Sequence, residues 1–290
     1  MSSLPAQVQL KCESILAAPI LNIKPLFGGD IHDACLIHTA SASYFIKLNT
    51  HQQAFDMFQT EQKGLQLLAQ NKDIKTPSTI AVEQVGEASF LLMDYVEPGV
   101  KTDTFWEQFG TQLAQFHRNN TAPSFGLDHH NYIGSLNQYN HAASSWSEFY
   151  IEQRLKPQLK LAVDQRRMPG STLRAFNQLF TKLDQLCPLE PATLTHGDLW
   201  SGNFLAGKGG IPFLIDPAVA YAHREMDLGM SHLFGGFSPK FYSAYEEGYP
   251  LSPGFDERKE VYQLYYLLVH VNLFGVQYLG AVQKILDKYN

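Results

Sequence analysis

His196-Gly197-Asp198-Leu199-Trp200-Ser201-Gly202-Asn203 lies inside the stretch Ala192 to Ile215, which reads as β-rich, with an apolar strand before it and another after it. An isolated His-Gly-Asp reads as a turn, in which glycine supplies the bend and aspartate caps an amide. Here the aspartate is followed, after four intervening residues, by Asn203. A carboxylate and a side-chain amide at that spacing on one short loop place a proton acceptor and a metal ligand side by side.

A second carboxylate, Asp216, closes the apolar strand Pro212 to Ile215, and Pro217 follows it. Oxygen ligands at neighbouring strand ends, Asn203 and Asp216, suit a hard cation such as Mg²⁺ bridging phosphate oxygens. Asp198 then has the role of orienting an attacking hydroxyl and taking its proton. The chemistry this pattern points to is phosphoryl transfer from ATP.

Upstream, the elements such chemistry needs appear in order. Gly28-Gly29-Asp30 joins two strand candidates; by itself it is a hairpin turn, and in this position it is the expected phosphate cradle. Lys47 lies in Tyr44-Phe45-Ile46-Lys47-Leu48, where alternation puts it on the face of Phe45. On the following helix, Phe58, Glu61, Leu65 and Leu68 share one face, so Glu61 interrupts an apolar stripe. A Lys47–Glu61 ion pair would resolve both anomalies and position nucleotide phosphates. The strand Phe90 to Met93 leads into Asp94-Tyr95-Val96-Glu97-Pro98, where the Asp94 carbonyl and Val96 amide are the expected adenine contacts.

The periodicity divides the chain. Strands are expected at Ile23–Phe27, Ala34–Ile37, Tyr44–Leu48, Thr79–Glu83 and Ser89–Tyr95, with a helix over Gln52–Gln70. After Glu97-Pro98-Gly99 the pattern turns helical, over Thr104–Arg118, Ser145–Asp164, Thr172–Leu186 and Arg258–Leu279. The expected architecture is α+β: a small antiparallel-sheet lobe, residues 1–97, that binds nucleotide, and a larger, mainly helical lobe, residues 98–290, that carries the catalytic loop and the substrate site. The order of glycine turn, lysine, glutamate, linker, Asp-Asn and Asp is that of a protein-kinase-like bilobal fold.

The loop, with Ile215-Asp216-Pro217-Ala218 and His223-Arg224-Glu225-Met226-Asp227-Leu228, resembles the fructosamine kinase (ketosamine-3-kinase) family. So do Asn131-Tyr132-Ile133-Gly134, the stretch from Trp146 to Leu159 and Leu233-Phe234-Gly235-Gly236-Phe237, and the likeness covers nearly the whole chain. Aminoglycoside and choline kinases share the His-Gly-Asp, Asn and Asp core; the Leu-Trp-Ser-Gly filling and the Trp146 region single out fructosamine kinases. The resemblance implies an ATP- and Mg²⁺-dependent kinase for the 3-hydroxyl of ketosamines of the fructosamine, ribulosamine or erythrulosamine type, free or protein-bound, and a role in deglycation. One departure stands out. The family's turn commonly reads Gly-Gly-x-Ile-Asn, whereas here His32 and Asp33 follow Ile31, so an extra carboxylate stands close to the phosphate cradle.

Trp200 is a candidate for stacking on substrate or for packing beneath the loop, and His270 for a substrate contact or a satisfied core histidine. Asp227 reads as a support for the catalytic loop. A net charge of -6 and a pI near 6.0 argue against nucleic-acid or membrane-surface binding. Pro5, Lys11, Glu13 and Pro19 interrupt the N-terminal stretch, so an amphipathic first helix of a cytoplasmic protein, acting as a monomer, is expected. Cys12, Cys35 and Cys187 are too far apart for a metal motif and read as reduced, buried thiols. The competing functions are another small-molecule kinase of the aminoglycoside or choline type and a nucleotide-binding pseudokinase. The pseudokinase lacks its usual mark, since neither the aspartate nor a metal ligand is missing.

Overall fold

Apolar stretches at Ile23–Leu26, Ala34–Ile37 and Tyr44–Leu48 make three consecutive strands, and the sheet they start organises the first part of the molecule. The computed structural model describes residues 4–26, 32–70 and 72–289. The chain separates into two compact units, one of residues 1–101 with 205–216, the other of residues 102–204 with 217–290.

In the first unit, helix α1 (Ala6–Leu16) precedes strands β1 (Asn22–Leu26), β2 (Asp33–His38) and β3 (Ser43–Asn49). Helix α2 (Ala54–Ala69) and strands β4 (Thr79–Val85) and β5 (Ala88–Asp94) follow. The sheet is antiparallel throughout, in the order β1-β2-β3-β5-β4. Its two faces are covered by different helices. Ile46, Leu48, Phe90 and Leu92 form one core with Val8 and Cys12 of α1, while Leu91 and Met93 join Phe58 and Leu65 of α2 in another, with Phe45 against it. The period-two pattern of β3 thus sends Lys47 to the α2 side.

A single cut between residues 97 and 98 would leave 205–216 with the helical region, but this segment belongs to the first unit. Strands Phe204–Gly207 and Ile211–Leu214 form a hairpin. The Leu214 amide donates to the Lys75 carbonyl (2.8 Å) and the Gly99 amide to the Ala206 carbonyl (2.7 Å). A Cβ on Gly99 would lie 2.0 Å from the Gly207 carbonyl oxygen, so only glycine permits this approach. The hairpin delivers Asp216 to the sheet.

The second unit is mainly helical. Helix α3 (Asp103–Asn119) starts at Thr102, whose hydroxyl accepts from the Phe105 amide. The expected helix over Ser145–Asp164 is helical but not uniform: Tyr150–Leu155 is a wider π turn directly before Lys156–Asp164. Pro157 has no N–H and its ring crowds the preceding turn, a conflict that a wide turn relieves. Helices Gly170–Phe180 and Leu183–Leu186 divide what reads as one helix. The last expected helix is Phe255–Phe274, stopped by Gly275 at φ 113°, after which Leu279–Tyr289 begins anew. Tyr262, Tyr265 and Tyr266 are buried, as an enclosed helix requires. Asp227 lies on helix Glu225–Leu233, and a further helix, Pro239–Gly248, was not anticipated. Strand Ala192–Thr195 is the centre of a three-stranded sheet with Ala220–Ala222 and Thr121–Ala122 and leads straight into the His196 loop. No helix among the described residues is long and apolar enough to cross a membrane.

Candidate active site

In the first unit Lys47 is the centre of a three-charge cluster. Its Nζ donates to Glu61 Oε1 at 2.7 Å and to Asp216 Oδ1 at 2.5 Å. The Lys47 and Glu61 side chains are only 9% and 12% exposed, against 43% for Asp216, so the first pair is buried and the second open to solvent. Burial works against the Lys47 ammonium, but Asp216 and Glu61 outweigh it and hold it above its ordinary range. For Glu61, burial pushes the carboxyl up to about 7 against the pull of Lys47, and Asp216 adds to the rise. Glu61 therefore takes up a proton more readily than an ordinary carboxylate. Asp216 has φ 54°, a left-handed backbone that costs most residues roughly 1–2 kcal/mol.

The neighbouring strand adds a group that motif reading marked only as a departure. Ala34 pairs with Lys47 and Asp33 with Leu48, so His32 lies on the Lys47 face and Asp33 on the other. Asp33 is exposed, on the sheet face opposite Lys47. The His32 ring sits 4.7 Å from Phe58, with Nδ1 2.8 Å from Asn49 Nδ2. Burial first, then Lys47, pushes its pKa down to about 4 against the pull of Asp216, leaving the ring neutral at physiological pH. Gly28, Gly29 and Asp30 lie outside the described residues. At the linker, Asp94 ends β5, its amide donating to the Ser78 carbonyl (2.9 Å), and Val96 follows the strand outside regular secondary structure.

In the second unit the His196–Asn203 loop is clamped from below. Asp227, fully buried, accepts from the His196 amide (2.7 Å) and the Gly197 amide (2.8 Å). The Tyr266 hydroxyl donates to the Gly197 carbonyl at 3.0 Å. Gly197 has φ 82°, and a Cβ there would fall 1.9 Å from the Ala218 carbonyl oxygen, so the bend needs glycine. Leu199 is buried, while Asp198 is partly exposed. Asn203 Nδ2 donates to the Asp198 carbonyl and to Asp198 Oδ2, both at 2.9 Å. The amide thus fixes the carboxylate, and its oxygen is the end suited to a hard cation. Asp227 supports the loop as its position suggested.

Trp200 is 37% exposed, and its ring lies over Gly202, where a Cβ would come within 2.4 Å of it. His270 Nδ1 donates to the Tyr266 carbonyl (2.8 Å), and its ring stands among Phe234, Tyr278 and Phe274 at 4.7, 5.0 and 5.3 Å. Burial lowers its pKa, although the Tyr266 carbonyl favours the charged ring.

His117 was missed. It is fully buried on α3, with Nε2 3.1 Å from Asp227 Oδ2 and Nδ1 2.8 Å from the Tyr245 hydroxyl. The signal was available: Phe109, Leu113 and His117 are spaced at i, i+4, i+8, and a histidine in an apolar stripe needs buried partners. A second polar cluster, Glu190, His223 and Glu225, brings three potential ligand atoms within 4.8 Å. It is not a metal centre. Arg224 grips Glu190 through two hydrogen bonds (2.6 and 2.9 Å), and Arg258 pairs with Glu225. His223 uses Nδ1 on the Glu225 amide and Nε2 on the Pro188 carbonyl.

Comparison with known proteins identifies the family. The fructosamine kinase family model matches residues 6–290. A relative from Lactiplantibacillus plantarum, named a probable ketoamine kinase, is 40% identical over 273 residues, covering 93% of this chain and 95% of its own. The chloroplastic protein-ribulosamine 3-kinase of Arabidopsis thaliana is 36% identical, with 94% and 84% covered. A solved structure from Haemophilus somnus, provisionally named a fructosamine-3-kinase, superposes with a TM-score of 0.87 at 26% identity over 98% of this chain and 96% of that one. The aminoglycoside phosphotransferase APH(4)-Ia, at 14% identity and a TM-score of 0.61 over 96% and 98%, shares the fold. The chain belongs to the fructosamine kinase family.

Proposed function

We propose that the protein is an ATP-dependent ketosamine 3-kinase, transferring the γ-phosphoryl group to the 3-hydroxyl of a sugar joined to an amine through a ketoamine linkage. The observation that carries this reading is the Asp198 carboxylate, partly open to solvent and held by Asn203 on a loop clamped by Asp227. In this role Asp198 accepts a hydrogen bond from the acceptor hydroxyl and takes its proton as the new O–P bond forms and the bond to the leaving ADP oxygen breaks. Lys47, held charged by its two carboxylates, binds phosphate oxygens, and Glu61 keeps it in place. Gly28, Gly29 and Asp30 belong to the phosphate cradle, the Asp94 carbonyl and Val96 amide to the adenine contact, and Trp200 and His270 to the acceptor site.

Asn203 and Asp216 are the proposed Mg²⁺ ligands. Both offer hard oxygen donors, and the Asp216 carboxylate already holds a cation, the Lys47 ammonium, while keeping 43% of its side chain exposed. When bound, Mg²⁺ neutralises phosphate charge. Residues 1–101 with 205–216 would serve the nucleotide and the remainder the acceptor, in a cytoplasmic, monomeric enzyme of protein or amine deglycation. The test is Mg²⁺-dependent ADP release with ribulosyl-lysine, fructosyl-lysine, erythrulosyl-lysine, choline and kanamycin in parallel. A ketoamine should stimulate release and D198N should abolish it. Stimulation by choline or kanamycin alone would overturn the proposal, as would full turnover in D198N.

A further inference from the structure

His32 and Asn49 each lie one residue beyond the Asp33–Leu48 pair that ends the β2–β3 register, and their side chains meet there. Its side chain is oriented by a second bond: Asn49 Oδ1 accepts from the His51 amide at 2.8 Å. The other end, Nδ2, is therefore a donor, and it is this atom that meets His32 Nδ1 at 2.8 Å. A neutral imidazole that accepts at Nδ1 carries its proton on Nε2. Among the described residues no protein group takes that proton. The ring is held rather than free, braced on Phe58 of α2, and it shares the sheet face of Lys47.

We propose that His32 is a nucleotide-binding residue, donating its Nε2–H to a phosphate oxygen of ATP beside the Lys47 ammonium. Asn49 acts as the positioning residue that sets the donating tautomer. The inference rests on the kinase reading for its ligand, but not on the identity of the acceptor. A neutral donor suits this place, because a second cation next to Lys47 would be repelled by it and would compete for Glu61 and Asp216. An Asn side chain, usual at this point of the family's turn, also offers a neutral N–H, so the departure keeps the chemistry and lengthens the reach.

The experiment measures direct binding of ATP and of adenosine, by calorimetry in magnesium buffer without acceptor, to wild type, H32F, H32Q and H32M. H32F keeps a ring against Phe58 and loses the donor; it should bind ATP about ten-fold more weakly and adenosine unchanged. Gln and Met match in length and differ in the amide, so H32Q should bind ATP several-fold more tightly than H32M whatever packing both have lost. Unchanged ATP affinity in H32F, or equal losses for ATP and adenosine, would overturn the proposal, as would H32Q and H32M behaving alike. Wild type that binds ATP yet phosphorylates no ketoamine would count against the acceptor assignment alone.

Discussion

Replacing Lys47 by Met separates what the Lys47 cluster does for the fold from what it does for the nucleotide. The substitution removes the ammonium and leaves the nearly enclosed Glu61 carboxylate without its 2.7 Å partner. Breaking a buried pair from one side costs about 3–5 kcal/mol. The bond to Asp216 adds at most about 1 kcal/mol, because that carboxylate is 43% exposed and regains water. At about 2 °C per kcal/mol for a chain this long, K47M should melt roughly 6–12 °C below wild type. The double variant K47M/E61L replaces both charges by apolar groups of similar volume against Phe58, Leu65 and Leu91, and should recover most of that loss. It should not recover ATP affinity, which falls by roughly 10–100-fold if Lys47 makes a charge-assisted bond to phosphate. Calorimetric melting and ATP titration on the three proteins give both answers. K47M melting with wild type would refute the buried-pair reasoning, and wild-type ATP affinity in the double variant would refute the phosphate role.

Three other outcomes follow from named contacts. H117F removes the Nε2 donor to Asp227 and should lower kcat roughly ten-fold with KM for ATP little changed, while H117Q, which retains a donating amide, should stay within about three-fold; steady-state kinetics with thermal melts as control decide it. Because Asp216 sits at φ 54°, D216G should be more stable than D216A by about 1 kcal/mol, the reverse of the usual order, and D216N should match or exceed both in a denaturant titration, with turnover lost in all three. The His32 ring refuses a proton down to about 4, whereas in the unfolded chain it takes one near 6.5, so its neutral state supplies up to roughly 3 kcal/mol above pH 6.5 that is lost as the pH falls towards 4. The difference in unfolding free energy between wild type and H32F should shrink through that window, and a constant difference would contradict the assignment.

The sheet was legible because period-two alternation records which face each strand buries, and the same alternation located Lys47 and Glu61 as charges in apolar surroundings. The helical unit was less so where glycine and proline serve packing instead of ending an element. Gly229 brings helix Glu225–Leu233 against Tyr262, whose Cβ would stand 3.0 Å from an added methyl. Gly110 lets α3 approach Phe241, where a Cβ would be 2.1 Å from the carbonyl oxygen, and Gly248 approaches Ala114 in the same way. By propensity these residues break helices; tertiary contact reverses the sign.

What a contiguous motif contains and what a fold adds are different kinds of information. Asp198 and Asn203 are on one loop, so their joint role shows in spacing alone. The Lys47–Glu61–Asp216 cluster draws on three separate segments, and although each member was named, the contact of Asp216 with Lys47 depends on the hairpin pairing with Lys75 and Gly99. His32 and Asp33 show the limit most clearly. Adjacent in the chain, they differ by one step of register, which puts one on the Lys47 face and sends the other to the opposite face. Sequence marked Asp33 as a carboxylate close to the expected phosphate cradle, whereas the register puts the neutral His32 on the Lys47 face and Asp33 on the other. A one-residue slip of β2 against β3 would exchange them and set a carboxylate on the Lys47 face, so the Ala34–Lys47 pairing is as much a part of the proposed nucleotide site as the lysine itself.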